Sequence, residues 1–426
     1  MPSRRHFLQQ SALAAGGVLA GRASLARGPR DTPDTAALLA AAAAPVVIAD
    51  RLPSVPLLIE TVELLRRGRQ WLVRVRADGA EGLAVVHGGI LEQAYLLFTE
   101  RVGPAAIGTD ARAWEATLEA IYLGRGGAAS NYKWQGLPFW VAVSSLEMAV
   151  LDLLGHAAGL NVTELLGDGR VRDQVAVYRA SSNRDNTAEE EVARLQELVE
   201  RTGARALKHK LGARMVVTDA SEARDRALVP AVRAAFPDLT LYADANGSFD
   251  VAQSLTAAER LVDHGYAFFE EPVRFDHYDE TVAVAAASPV PIAGGEQESS
   301  LRQFLWLIDH GAVQITQPDL FYFGGLIRSI RVARASRVAG LDCTPHISGY
   351  GLGFLYAALF AACVDNAGPY HEYKGLADDL PAQAVGGRLE PVDGVIEVPT
   401  GPGLGVAIDP DWLAGADAIA SSISSP

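Results

Sequence analysis

From residue 174 to residue 372 the chain repeats one pattern eight times: a short strand-like run, then a stretch with helical periodicity. The strand-like runs are Gln174–Ala180, 204–211, 239–245, 266–270, 290–294, 313–317, 341–344 and 369–372. The stretches between them carry helix signals. Thr187 and Glu190 have capping-box spacing ahead of Val192, Leu195 and Val199 on one face, and Leu255, Ala258, Leu261 and Val262 mark another apolar stripe. Strands alternating with helices in this way predict an α/β fold, a (β/α)8 barrel over 171–390.

Upstream, over 46–170, the texture is mixed. Trp71, Val73 and Val75 alternate with polar neighbours over 70–76, Asp78-Gly79 supplies turn chemistry, and 82–86 reads as the returning strand. Residues 46–49 also read as a strand, and helices are expected over 91–101, 111–123 and 138–158. Strands followed by helices predict an α+β domain ahead of the barrel. Runs at 394–399 and 402–408 predict closing strands, in a 391–426 segment that returns to this first domain.

The first 26 residues fit neither domain. Arg4-Arg5 precede Phe7-Leu8, an apolar run over 11–20 and a small-residue exit near Ala26, which is the order of a twin-arginine export signal. That run is too short, and too rich in Gly and Ala, to span a bilayer. Residues 27–45 include an Ala-rich tract with no repeated polar face and read as a flexible lead-in. No second hydrophobic run long enough to span a bilayer is expected. The expected location is therefore the periplasm, free of the membrane once the signal is removed. With 37 Lys+Arg against 51 Asp+Glu, the formal charge of −14 excludes a general nucleic-acid binder, which needs a basic field to displace phosphate counterions. Two cysteines, Cys343 and Cys363, support neither a disulfide framework nor a Cys-based zinc site, and their apolar surroundings suggest buried free thiols.

In a barrel of this kind the active site gathers at the C-terminal ends of the strands. Those ends carry Lys208 and Lys210, Asp244 and Asn246, Glu270, Glu296, Asp319, His346 and Glu372. From Asp244 the intervals are 26, 26, 23, 27 and 26 residues, each about one strand–helix unit, and a surface charge pattern has no reason to keep that beat. Asp244, Glu270 and Glu296 lie on neighbouring strands, where three converging carboxylates repel one another unless a cation joins them; hard oxygen ligands suit Mg²⁺. Lys208 and Lys210, two apart on a strand, share a face, so each disfavours the other's charge and the better-placed one becomes a base near neutral pH. Asp319 can orient His346, and Glu372 can donate or accept a proton. Glu271 is expected to face away from Glu270, as adjacent strand residues do, while His371 and Lys374 flank the mouth.

Taken together, Lys208-His209-Lys210, Asp244-Ala245-Asn246, Phe269-Glu270-Glu271-Pro272, Gly294-Gly295-Glu296, Gln317-Pro318-Asp319, Pro345-His346 and His371-Glu372 resemble the enolase superfamily, and within it the mandelate racemase subgroup. The resemblance runs from about Val46 to Trp412 and includes the end segment Pro402-Gly403-Leu404-Gly405. It implies that the α+β domain caps the barrel mouth and that one Mg²⁺ is held by Asp244, Glu270 and Glu296. The implied reaction removes the α-proton of a small carboxylate, to give an enediolate. Lys208 and Asn246 would bind substrate, Lys210 and an Asp319-oriented His346 would act on opposite faces of the α-carbon, and Glu372 would assist. Dehydration of a sugar acid to a 2-keto-3-deoxy acid is the favoured outcome, and racemisation or epimerisation by the same two bases is the alternative. The resemblance also implies a homo-oligomer. From other classes, a non-catalytic periplasmic binding protein has no need of two bases, and a metal-dependent hydrolase lacks a His-rich ligand set here.

Overall fold

The computed structural model describes residues 34–124, 130–349, 351–376 and 379–420. The predicted export signal lies outside these residues. The cap begins with an antiparallel meander, β1 (Ile59–Arg67), β2 (Gln70–Ala77) and β3 (Ala80–Val86), with Asp78-Gly79 turning the β2–β3 hairpin at φ +46° and +79°. The barrel follows as β4 (Gln174–Ala180), β5 (Ala206–Lys210), β6 (Thr240–Asp244), β7 (Phe268–Glu270), β8 (Ile292–Gly294), β9 (Ile315–Thr316), β10 (Asp342–Cys343) and β11 (His371–Tyr373). After it come β12 (Ala382–Ala384), β13 (Val395–Glu397), β14 (Val406–Ile408) and β15 (Asp417–Ala420).

The eight barrel strands pair in parallel from β10 back through β4, and β4 pairs with β11. The remaining step, from β10 to β11, is spanned by a parallel bridge between Cys343 and Ala367. Tyr178, Ala206, Tyr242, Phe268 and Ala293 fill the interior as one apolar layer, with Tyr242 and Phe268 stacked at 3.8 Å. That filled layer makes the barrel a core with a mouth at one end. Cys343 and Cys363 are buried free thiols, pushed up to about 12 by burial.

The cap sheet packs on the helix Leu137–Ala158, which is long and apolar enough to cross a membrane by length and composition, contrary to the sequence expectation, yet 89% of its apolar 18-residue stretch is buried inside the fold. Close packing there depends on Gly82: a Cβ at that position would fall 2.1 Å from the Ala149 carbonyl oxygen. Buried Asp152 on the same helix accepts the Leu83 N–H at 2.8 Å and the Leu404 N–H at 2.7 Å, which ties cap sheet, cap helix and C-terminal segment together.

Four local expectations are corrected. Residues 46–49 form no strand; Val47 makes one isolated bridge to Leu166, and a 3-10 turn, Ala49–Arg51, follows. The lead-in is not flexible over its second half. Thr35–Ala43 is a helix capped by Asp34, with Leu38 and Ala42 buried in a small cluster with Leu305, Ile308, Ala335 and Leu341. Its all-round apolar surface finds a partner in the barrel's outer helices, which sequence periodicity does not reveal. β13 does not return to the cap but adds antiparallel to β4, extending the barrel sheet. The 402–408 run adds no strand to the cap sheet either: β14 pairs with β12, and the strand that returns the 391–426 segment to the cap sheet is β15, pairing with β1.

Candidate active site

Strand alternation assembles the site. On β5, Ala206, Lys208 and Lys210 share the inner face, while His209 faces outward with Nε2 2.7 Å from the Tyr266 hydroxyl. Two residues beyond Ala206, Tyr242 and Phe268, nearer the mouth, stand Lys208, Asp244 and Glu270. Glu296 follows β8, and Asp319 and His346 follow β9 and β10, joined by a parallel bridge of their own. Lys210, Asn246, Glu296, His346 and Glu372 all line one cavity of about 1790 Å³ at this end of the barrel.

Oxygens of Asp244, Glu270 and Glu296 lie within 4.8 Å of one another, and all three residues are buried. Lys208 donates to both oxygens of Glu270, at 2.8 and 2.9 Å, and Lys210 is hydrogen-bonded to Asp244. Glu270 also accepts from Gln317 Nε2 at 2.8 Å. Glu296 Oε2 is buried without a hydrogen bond, although His346 Nε2 lies 3.3 Å away. Burial raises the Glu270 carboxyl above the usual range, with Asp244 and Glu296 adding to the shift and Lys208 opposing it. An oxygen-only cluster under that strain, with one oxygen lacking a donor, fits a hard divalent cation such as Mg²⁺.

Lys208 departs from the simple picture of two lysines depressing one another. Burial works against its charge, but Glu270, Tyr178 and Glu372 outweigh it and hold the ammonium well above its ordinary range. It is a fixed cation. Glu372 lies 3.7 Å from Lys208 and 3.3 Å from Lys374, and despite its burial those cations, with His346, hold its carboxyl below the usual range. His346 Nδ1 stands 2.6 Å from Asp319 Oδ2. Asp319 is itself fixed by the N–H groups of Phe321, Tyr322 and Ser348 at 2.8, 2.8 and 2.7 Å. Burial lowers the imidazole pKa, but Glu296, Asp319 and Glu372 together carry it above its ordinary value.

The structure adds residues that the strand rule misses. Glu271 does not face away from Glu270: its φ of +41° turns it toward the mouth, where its Oε2 lies 3.4 Å from Asn246 Nδ2. Pro272 signals that the strand ends there, but not where the side chain goes. Arg184, from the loop after β4, is hydrogen-bonded to Asn246, whose Oδ1 also accepts from Lys210 at 3.1 Å. Lys374 lines the cavity as expected, whereas His371 is buried with Nε2 on the Gly368 carbonyl and does not.

Comparisons with known proteins agree with this geometry. Residues 190–412 match the family model described as enolase C-terminal domain-like, and residues 44–167 match the mandelate racemase / muconate lactonizing enzyme N-terminal domain. The chain is 31% identical to a D-galactarolactone cycloisomerase of Agrobacterium fabrum, over 72% of this chain and 80% of that one. It is 27% identical to a D-galactonate dehydratase of Xanthomonas oryzae pv. oryzae, over 73% and 86%. A solved structure from Roseobacter denitrificans superposes with a TM-score of 0.77 at 29% identity, covering 85% of this chain and 99% of that one. A mandelate racemase/muconate lactonizing protein of Paracoccus denitrificans, solved with magnesium, has the same fold at a TM-score of 0.75 and 24% identity, with coverage of 85% and 99%.

Proposed function

The chain belongs to the enolase superfamily, in its mandelate racemase / muconate lactonizing enzyme group, and on that premise we propose that it is a Mg²⁺-dependent sugar-acid dehydratase. The observation that carries this reading is the flanking of one three-carboxylate cluster by Lys208 and Lys210 on β5 and by the Asp319–His346 pair after β9 and β10. Asp244, Glu270 and Glu296 hold Mg²⁺, which supplies the positive charge that makes the α-proton of a bound carboxylate removable.

The protein's own groups do the rest. Lys208, held charged among its acids, and Asn246 bind the substrate's oxygens. Lys210 faces one side of the α-carbon and His346 the other. One of the two takes the α-proton, and a protonated partner delivers a proton to the β-hydroxyl as its C–O bond breaks, so that water leaves and the enol product becomes a 2-keto-3-deoxy acid. Glu372, held ionised despite its burial by Lys374, Lys208 and His346, accepts a hydrogen bond from a hydroxyl of the substrate. A second reading, racemisation or epimerisation, is favoured by the two bases on different strands: without a β-hydroxyl the proton returns on the opposite face.

A panel of sugar acids screened for keto-acid product, with proton NMR in D₂O in parallel, tests both readings. Product release supports the first and exchange without product the second. Neither, in Mg²⁺-loaded protein, refutes the function proposed. The same reading includes export by the twin-arginine route to the periplasm, supported by Arg4-Arg5 and the apolar run after them, and assembly into a homo-oligomer, supported by the family resemblance. A solution mass of a single chain would count against the latter.

A further inference from the structure

The guanidinium of Arg184 sits in the mouth without a carboxylate in ion-pair contact. Its Nε is buried and has no hydrogen-bond partner, and no carboxylate of the described residues lies within 4.0 Å. Its one hydrogen bond runs to Asn246 Oδ1. The neighbouring cations are different: Lys208 meets Glu270, Lys210 meets Asp244, and Arg224 meets Asp225 at 3.0 Å. Buried Arg179 donates to the Tyr373 carbonyl oxygen at 2.6 Å and lies over that residue's ring. A half-buried guanidinium whose Nε is shut away from water without a partner is costly, so a structural role alone does not account for Arg184.

Its surroundings point the same way. Burial works most strongly against the Arg184 cation and Arg214 and Arg224 add to it; Asp244 and Asp225 favour the charge, but each is already paired, Asp244 with Lys210 and Asp225 with Arg224. Asn246 Oδ1 accepts from Arg184 and Lys210 alike, so the free edge of the guanidinium lies two hydrogen bonds from the proposed base. A planar fork of N–H groups fits a carboxylate in a way that a sugar hydroxyl does not.

We propose that Arg184 binds a second carboxylate of the substrate, so that the acid turned over here is a diacid, with one carboxylate at the Asp244–Glu270–Glu296 cluster and the other at Arg184. This rests on the function proposed above and narrows its substrate class. Because Arg184 and Lys210 share one acceptor, the diacid is a short one.

The test pairs aldaric with aldonic acids of matching configuration. Calorimetry on Mg²⁺-loaded protein gives affinity, and α-proton exchange in D₂O gives chemistry. For the tightest-binding pair, the wild-type protein binds the diacid at least about tenfold more tightly than the monoacid. Arg184→Met abolishes that preference, weakening the diacid at least about tenfold more than the monoacid with Mg²⁺ affinity retained, and Arg184→Lys recovers part of it. Equal wild-type affinities overturn the proposal, as does a loss in Arg184→Met that falls equally on both acids. Should no acid exchange or dehydrate, the proposed reaction fails, yet the calorimetric preference still decides whether Arg184 is an anion subsite.

Discussion

The contact between His346 Nδ1 and Asp319 Oδ2, at 2.6 Å, decides which ring nitrogen serves the mouth. A carboxylate accepts, so Nδ1 carries the proton and Nε2 is turned toward Glu296 and Glu372, at 3.3 and 3.7 Å. Asp319→Asn removes that instruction, because an amide can present either a donor or an acceptor. Turnover is expected to fall by about 10²–10⁴-fold with the circular dichroism unchanged. A kcat within threefold of wild type would remove Asp319 from its positioning role.

The two-base arrangement has its own signature. In His346→Asn, Lys210 still exchanges with D₂O the α-proton of substrates whose configuration presents it to the lysine, and exchange of the opposite configuration stops. Lys210→Ala shows the mirror pattern. Loss of exchange for both configurations in either variant, with metal binding intact, requires a single-base mechanism instead.

Metal dependence is tested by removal and by mutation. Chelator abolishes activity, and added Mg²⁺ restores it. Glu270→Gln weakens Mg²⁺ binding by at least about tenfold in calorimetry, since one of three converging carboxylates is lost. Full activity in a metal-free preparation contradicts the assignment.

A stability prediction comes from the junction of cap and barrel. Glu147, fully buried on the helix Leu137–Ala158, accepts the Ile327 N–H at 3.1 Å, and burial pushes its carboxyl up to about 7. The folded-state pKa lies above the unfolded value, so stability is fully present below about pH 4.5 and is lost as pH rises toward about 7. Glu147→Gln keeps an acceptor and removes the charge. Its Tm should exceed that of the wild type at pH 8, by the equivalent of at most about 3 kcal/mol, with no gain at pH 4. Arg328 and Arg331 favour the charged form and trim this gain. Equal losses of Tm at both pH values would sink the explanation.

Export is checked with the full chain in cells. Arg4→Lys combined with Arg5→Lys should leave the protein in the cytoplasmic fraction. Unchanged periplasmic recovery counts against the twin-arginine route.

Much of the barrel was legible because period-2 alternation is a local property. β4 runs over Gln174–Ala180 as the sequence predicts, and the Thr187–Glu190 capping box opens the helix after it. The same period predicts that Lys208 and Lys210 share a face and that His209 leaves it. Legibility fails where an element owes its form to a distant partner. β1 alternates poorly because both of its faces are partly covered, and β15 is four residues long and defined by the β1 edge it joins. The helix Thr35–Ala43 has no polar face to mark it and is held by barrel helices far along the chain.

The succession of strands and helices, and with it the order of acids, lysines and histidine around one mouth, is written along the linear chain, because strand-end position and residue chemistry both follow from neighbours in sequence. The packed fold supplies the rest. It turned Glu271 inward through a positive φ, surrounded Lys208 with carboxylates so that it stays charged, and left Arg184 beside Asn246 without a carboxylate in ion-pair contact. Each of these depends on which groups from separate strands and loops share a few cubic ångströms of low-dielectric space. Charge and hydrogen bonding are settled there by through-space distance, which no spacing along the chain encodes.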